Sequence, residues 1–177
     1  MITDFTPTYN RVGLLGRLYE SLLQQSDFDF EWVVVDDGST DGTENFFDTI
    51  QKNTNPFDIE YVRQSNGGKH RAINKGVAMA SGELFFIVDS DDYLTEDAIE
   101  KIKKWVDGLD DAHKWGGVAG ARGYNINSHI GGVGKGEDFV DAKNTEREAK
   151  GLTGDKAEVY FTDVLKKYPF PEFDGEN

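Results

Sequence analysis

Over the first 110 residues, short apolar runs alternate with apolar stripes at helical spacing. Phe5 ends a short extended opening, stopped by Pro7. Asn10 is placed to cap a helix running to about Gln25, with Val12, Leu15, Leu18, Tyr19, Leu22 and Leu23 on one stripe. Glu31 to Val35 is a compact β-branched run of the kind that fills a buried strand. It ends in Asp36-Asp37-Gly38-Ser39-Thr40-Asp41-Gly42. There Asp41 and Glu44 have the spacing of a capping box, and Phe46, Phe47 and Ile50 follow at helical spacing. Ile59 to Val62 predicts a short strand, and Lys69 to Ala80 a helix with Ala72, Ile73, Val77 and Ala80 inward. Leu84 to Val88 is a second fully apolar strand. Thr95 then caps a predicted helix carrying Ala98, Ile99, Ile102, Trp105, Val106 and Leu109.

Strands alternating with helices predict an α/β fold with a mostly parallel central sheet covered on both faces. Ligands of such sheets bind at the carboxyl ends of the strands. The polar clusters fall there: Thr6-Pro7-Thr8-Tyr9-Asn10, Asp36-Asp37, Arg63 to Lys69, and Asp89-Ser90-Asp91-Asp92. From Gly116 the pattern weakens. Gly116 to Tyr124 predicts one more strand. Residues 125–154 are rich in Gly, Asn and charge, and a loop that long is a lid, a binding loop or disorder. Ala157 to Phe161 reads as extended, and Thr162 as the cap of a short helix ending before Pro169. The chain therefore reads as two halves, 1–110 and 111–177. The second ends in Pro171-Glu172-Phe173-Asp174-Gly175-Glu176-Asn177 without a terminating element, as though cut short.

Composition narrows the function classes. A chain of 177 residues suits one domain, or one with an appendage. The absence of cysteine removes disulfide frameworks, thiolate metal sites and cysteine nucleophiles, and fits a cytoplasmic location. Lys plus Arg number 19 against 33 Asp plus Glu, a formal net charge of −14. Such a surface repels phosphate backbones, so nucleic acid is not an expected partner. No apolar run approaches a membrane span, and no basic start followed by an apolar stretch marks a secretion signal.

The strand-end clusters carry the candidate chemistry. Asp89 and Asp91, two residues apart after an apolar strand, can share Mg²⁺ or Mn²⁺ with substrate phosphates, or form a solvated acidic turn. Asp36-Asp37 can accept from a base N–H or a ribose hydroxyl, or cap its own turn. Asn66-Gly67-Gly68-Lys69-His70-Arg71 opens a helix, where glycines admit a close ligand and the N-terminus favours anions. Lys69, His70 and Arg71 are the densest basic cluster of an acidic chain. Tyr9 can stack on a base or simply pack. Near the end, Glu172, Asp174 and Glu176 offer a general base toward a hydroxyl, or an acidic tail. His113 and His129 lack metal-ligand partners at useful spacing and read as surface residues, and Trp105 reads as core.

Together, Thr6-Pro7-Thr8-Tyr9-Asn10-Arg11, Val33 through Asp41, Asn66-Gly67-Gly68 with Asn74, and Phe86 through Asp92 resemble family 2 glycosyltransferases in order and spacing. The resemblance is strong over residues 1–110. Gly154 through Tyr160 and Tyr168 through Pro171 resemble, more loosely, a bacterial subgroup. The resemblance implies the GT-A fold, a Rossmann-like three-layer arrangement. It also implies an inverting transferase using a nucleotide-diphospho-sugar, most often UDP-linked, with Mn²⁺ or Mg²⁺ at an Asp-x-Asp motif. By position, Thr6, Pro7 and Tyr9 border the base pocket, Asp37 reads the uracil edge, Asp89 contacts ribose, and Asp91 holds the metal. Residues 1–110 become the donor half and 111–177 the acceptor half, with acceptor-binding elements beyond residue 177. The acceptor is a glycan or lipid-linked glycan of surface polysaccharide synthesis, with peripheral association at the inner face of the cytoplasmic membrane.

The chain departs from its relatives in two places. Many carry Ala-Arg-Asn where this chain has Ala72-Ile73-Asn74, which leaves Lys69 or Arg71, beside Asn66, to meet the phosphates. For the base that deprotonates the acceptor hydroxyl, Glu176 ranks first and Asp174 second; many relatives carry Glu-Asp where this chain has Glu176-Asn177, which leaves room for a base elsewhere. Two alternatives stand beside the transferase. One is a non-catalytic nucleotide-binding module. The other is a metal-dependent phosphatase with Asp89 as nucleophile, although such enzymes place that motif on their first strand.

Overall fold

A computed structural model describes residues 1–110, 113–125, 128–133 and 139–173. The chain forms two compact units, one of Met1–Val118 with Val159–Asn177 and one of Ala119–Glu158.

The first unit is built on β1 (Ile2–Thr8), β2 (Phe30–Asp36), β3 (Asp58–Arg63) and β4 (Leu84–Ile87), with α1 (Val12–Leu23), α2 (Thr43–Ile50), α3 (Lys69–Met79) and α4 (Ala98–Asp107) between and after them. With β5 (Gly117–Ala121) and β8 (Lys156–Phe161) they make a six-stranded sheet ordered β3-β2-β1-β4-β8-β5. β1 runs parallel to β2 and β4, and β2 parallel to β3; β8 pairs antiparallel with β4. The α/β class with a mostly parallel sheet is as expected.

Side-chain parity covers both sheet faces. Phe5, Val33, Val35 and Phe85 pack with Ala72, Ile73 and Val77 of α3 and with Leu165 of α5 (Thr162–Lys167). On the other face Trp32 lies 5.4 Å from the ring of Phe47 on α2 and 6.0 Å from Tyr19 on α1. Leu15, Leu18 and Leu22 of α1 are fully buried, each such burial contributing about 1.5–3 kcal/mol. α3 reaches the sheet closely because Gly76 lies against Phe5, whose Cε2 would be 2.1 Å from an added Cβ. Asp4 breaks the apolar pattern. It is fully buried between Trp32 and Phe86 in register, and neither carboxyl oxygen has a hydrogen-bond partner among the described residues. Burial pushes its carboxyl well above the usual carboxylate range.

Several local expectations are corrected. Asn10 does not cap α1; it takes φ 52° and its Oδ1 accepts from the Thr40 backbone N–H at 2.8 Å. Asp41 makes no box with Glu44. Its carboxylate accepts from Thr43 N–H and Oγ1–H, and from Val12 N–H, the start of α1. Burial pulls the Asp41 carboxyl up, but these hydrogen bonds outweigh it and leave it below its ordinary range. Trp105 is half-buried rather than core, and Leu23 is exposed. Thr162 is the first helical residue of α5, its hydroxyl donating to the Gly82 carbonyl at 2.7 Å.

The second unit answers the long weakly patterned segment. The predicted single strand at 116–124 is broken into β5 and β6 (Gly123–Asn125), the latter pairing antiparallel with β7 (Ser128–His129). A 3-10 turn spans Asn144–Glu146. Gly132 N–H donates to both the carbonyl and the hydroxyl of Thr153. Arg122 pairs with Asp155, and Arg147 with Glu158 at 2.9 Å.

Candidate donor site

The carboxyl ends of β1, β2 and β4 open onto a cleft of about 370 Å³. It is lined by Pro7, Thr8 and Tyr9 after β1, Asp37 after β2, Lys69 and Ala72 on α3, and Asp89-Ser90-Asp91 after β4, with Arg11 beside them. That volume is at the lower end of small-molecule sites.

Two loops form the floor. Gly38 takes φ 90°, and a Cβ there would lie 3.1 Å from the Asn66 backbone nitrogen, so this close approach requires glycine. Asp36 is fully buried; its Oδ1 accepts from Ser39 N–H at 2.8 Å and its Oδ2 from the Tyr61 hydroxyl at 2.7 Å. Burial, then this hydrogen bond to a carboxylate, hold the Tyr61 phenol well above its ordinary range. Asp37 Oδ1 accepts from Gln64 Nε2 at 2.8 Å and Gly67 N–H at 2.9 Å, and Oδ2 accepts from Gly68 N–H at 2.8 Å. The anion at the N-terminus of α3 is thus the protein's own Asp37 carboxylate, where backbone donors and helix dipole both favour it.

Opposed charges face each other across the cleft. Lys69 Nζ lies 2.5 Å from Asp89 Oδ1, and Arg11 Nη1 lies 3.4 Å from Asp91 Oδ2. These groups are substantially exposed, so each pair stabilises the fold by only about 0–1 kcal/mol. Their exposure leaves both cations available to an incoming anion.

The structure gathers Pro7, Tyr9, Asp37, Lys69, Asp89 and Asp91 around the cleft, and leaves three expected nucleotide contacts outside its lining. Thr6 is fully buried, and its Oγ1 accepts from Trp32 Nε1 at 3.0 Å. Asn66 is exposed beside the cleft. Arg71 turns toward the C-terminal segment, its Nη2 donating to the Phe173 carbonyl at 2.7 Å. Asp174 and Glu176, the two candidate bases, lie outside the described residues. Thr8, Arg11 and Ser90, which the sequence motifs contain without an assigned role, also line the cleft. Its place at the end of β1 would have found Thr8, because Thr6 and Thr8 share a face and only the residue nearer the strand end opens to the cleft. Thr8 Oγ1 is buried without a hydrogen-bond partner among the described residues.

Asp89 and Asp91 offer hard oxygen donors suited to Mg²⁺ or Mn²⁺. Among the described residues no group of three or more His, Asp or Glu is arranged to hold a metal. Each of the two carboxylates is instead paired with a cation of the protein, Asp89 with Lys69 and Asp91 with Arg11. Among the same residues no helix is long and apolar enough to cross a membrane.

Known structures share this architecture. A mannosyltransferase from Pyrobaculum calidifontis, solved with GDP-Man and Mn²⁺, superposes with a TM-score of 0.70 at 25% identity, covering 96% of this chain and 47% of that one. S. aureus TarS 1–349 with UDP-GlcNAc gives a TM-score of 0.67 at 24% identity over 97% of this chain and 48% of that one. The fold is GT-A. In sequence, the chain is 36% identical over 107 residues to the glycosyltransferase GlyG of Streptococcus pneumoniae, and 36% identical over 116 residues to the abequosyltransferase RfbV of Salmonella typhimurium. Those stretches cover 60% and 64% of this chain but only 35% and 34% of the relatives. The chain thus spans about a third of those proteins and about half of the solved ones. Every residue that lines the cleft lies within the span, 5–132, over which the chain matches the model of glycosyl transferase family 2, and the protein belongs to that family.

Proposed function

We propose that the protein transfers a sugar from a nucleotide-diphospho-sugar, a UDP-sugar first, to an acceptor hydroxyl with inversion at the anomeric carbon. The observation that carries this reading is the convergence of Tyr9, Asp37, Lys69, Asp89 and Asp91 on one cleft. Tyr9 is half-exposed at the rim, where its ring stacks on the base. Asp37 has already filled three of roughly four acceptor positions with its own loop, which leaves one for the base edge. Asp89 meets the ribose and, with Asp91, holds Mn²⁺ or Mg²⁺. Bound there, the cation supplies positive charge against the leaving diphosphate. Lys69 and Arg11 exchange their carboxylate partners for phosphate oxygens.

The acceptor oxygen attacks the anomeric carbon from the face opposite the diphosphate. The bond to the diphosphate oxygen breaks, and the hydroxyl proton passes to a carboxylate. Glu176, then Asp174, is the base in this reading. Residues 1–110 serve the donor and 111–177 the acceptor side, a glycan or lipid-linked glycan met in the cytoplasm at the membrane's inner face. The alternative is a module that holds nucleotide without turnover. The phosphatase reading has no support once the family is established.

Calorimetric titration of UDP tests the site. Binding with Mn²⁺ that is lost in EDTA and in Asp91→Ala supports it; metal-independent binding unchanged in that variant overturns it. Hydrolysis of a UDP-sugar by the same chain separates the enzyme from the silent module.

A further inference from the structure

After α5 the chain continues as Tyr168-Pro169-Phe170-Pro171-Glu172-Phe173 with no regular secondary structure. Its backbone groups therefore need partners from elsewhere. Pro169 and Pro171 carry no N–H, so Phe170 has the one backbone donor of that tripeptide. Asn74 of α3 takes it: Phe170 N–H donates to Asn74 Oδ1 at 2.9 Å, and Asn74 Nδ2 donates to the Phe170 carbonyl at 2.9 Å. One side-chain amide pairs both backbone groups of one residue, as a neighbouring strand would. The same Nδ2 reaches Glu172 Oε1 at 2.6 Å. Three residues earlier on the helix, Arg71 Nη2 donates to the Phe173 carbonyl, and its Nε lies 3.7 Å from Glu172 Oε2. Phe170 packs against the core cluster that α3 shares with β1, β2 and β4.

We infer that Asn74, with Arg71, is a positioning residue that clamps the Pro169–Phe173 strap onto α3, the helix whose Lys69 faces the donor cleft. This inference rests on the transferase reading above. Asp37 holds Gly67 N–H from the cleft, and the aliphatic stem of Arg71 covers Gly67 from the other side, its Cδ 3.0 Å from where a Cβ would stand. Asn74 does not line the cleft. It therefore acts on turnover through the strap, which leads directly to the acidic residues at 174 and 176, and leaves donor binding alone.

The test uses the full chain with Asn74→Ala and Asn74→Asp. Asp keeps the acceptor for Phe170 N–H but sets a carboxylate against the Phe170 carbonyl and Glu172. Amide exchange at Phe170, the residue whose N–H Asn74 accepts, followed by mass spectrometry, accelerates about tenfold in Ala and more in Asp. UDP affinity with Mn²⁺ stays within about twofold, because the altered group touches no part of the cleft. The kcat for UDP-GlcNAc, used as the probe donor, falls about tenfold or more with little change in KM. Unchanged exchange overturns the clamp. Accelerated exchange with a parallel loss of UDP affinity, or with unchanged kcat, overturns the positioning role. A wild-type chain that binds no UDP defeats the donor-site reading and the positioning role with it, while exchange still decides the clamp.

Discussion

Asp37 and Gly68 are joined at 2.8 Å, carboxylate to backbone N–H, across the gap between the loops that follow β2 and β3. With Gly67 on the other oxygen, the contact makes Asp37 a brace of the cleft floor as well as part of its wall. Asp37→Ala leaves two backbone donors without an acceptor, at about 1–3 kcal/mol for each that stays buried. Urea unfolding is expected to show that loss, and UDP titration a loss of affinity alongside it. A variant that loses UDP binding at unchanged stability would mean that the brace contributes nothing.

Lys69 is expected to act in opposite directions on the two ligands. Free Mn²⁺ competes with the Lys69 ammonium for Asp89, 2.5 Å away. Lys69→Met removes that competitor and, in the proposed donor complex, a partner for the phosphates together. Mn²⁺ alone then binds more tightly, and UDP in the presence of Mn²⁺ more weakly, each by a few-fold, as suits a half-exposed ion pair. Paired titrations of wild type and variant check both signs.

Asp4 makes stability depend on pH in the sense opposite to an ion-paired carboxylate. Burial raises its folded pKa, so the folded chain keeps a proton that the unfolded chain loses. Below the unfolded value, about 3.9, the two states match. As pH rises above it, Asp4 removes up to about 1.4 kcal/mol per pH unit until the folded value is reached. Asp4→Val is expected to be more stable than wild type at pH 7, with the gap narrowing toward pH 4. Urea unfolding across that range measures it, and an equal difference at all pH values would refute the assignment.

Gly76→Ala drives a methyl group into the Phe5 ring, 2.1 Å from Cε2 and 2.3 Å from Cδ2. Overpacking of this kind costs about 1–3 kcal/mol, against a gain in helix propensity of about 1. The net effect is a lower Tm, by roughly 2–4 °C for each kcal/mol lost. A thermal scan settles it, and a rise in Tm would show that β1 and α3 separate freely.

The sequence disclosed what depends on near neighbours. The apolar run from Leu84 reads as a buried strand, found at Leu84–Ile87, and the Asp-x-Asp falls just after its carboxyl end. Position along β1 was the finer clue, because Thr6 and Thr8 share a face and only Thr8, nearer the strand end, reaches the cleft, while Thr6 is held under Trp32. The braces were hidden because their partners are remote. Asp37 and Gly67 are 30 residues apart, and Asn74 and Phe170 are 96 apart, whereas periodicity reports only on the next turn or the next pleat. Asn10 fits a cap by local rules, yet a contact 30 residues away outweighs that preference. Asp4 in a strand reads as a polar outward position until the register sets it between Trp32 and Phe86.

The sheet order also dictates a sequence of events during synthesis. β4 carries the Asp-x-Asp turn at its end, and its second neighbour, β8, is made only after α4, β5, β6 and β7. While residues 88–155 emerge from the ribosome, Leu84, Phe85 and Phe86 present a bare apolar edge, and Val159, Tyr160 and Phe161 then close it from the antiparallel side. Such an edge invites pairing with another chain. A nascent chain halted before residue 156 therefore leaves open the flank of β4, the strand whose end carries the Asp-x-Asp turn.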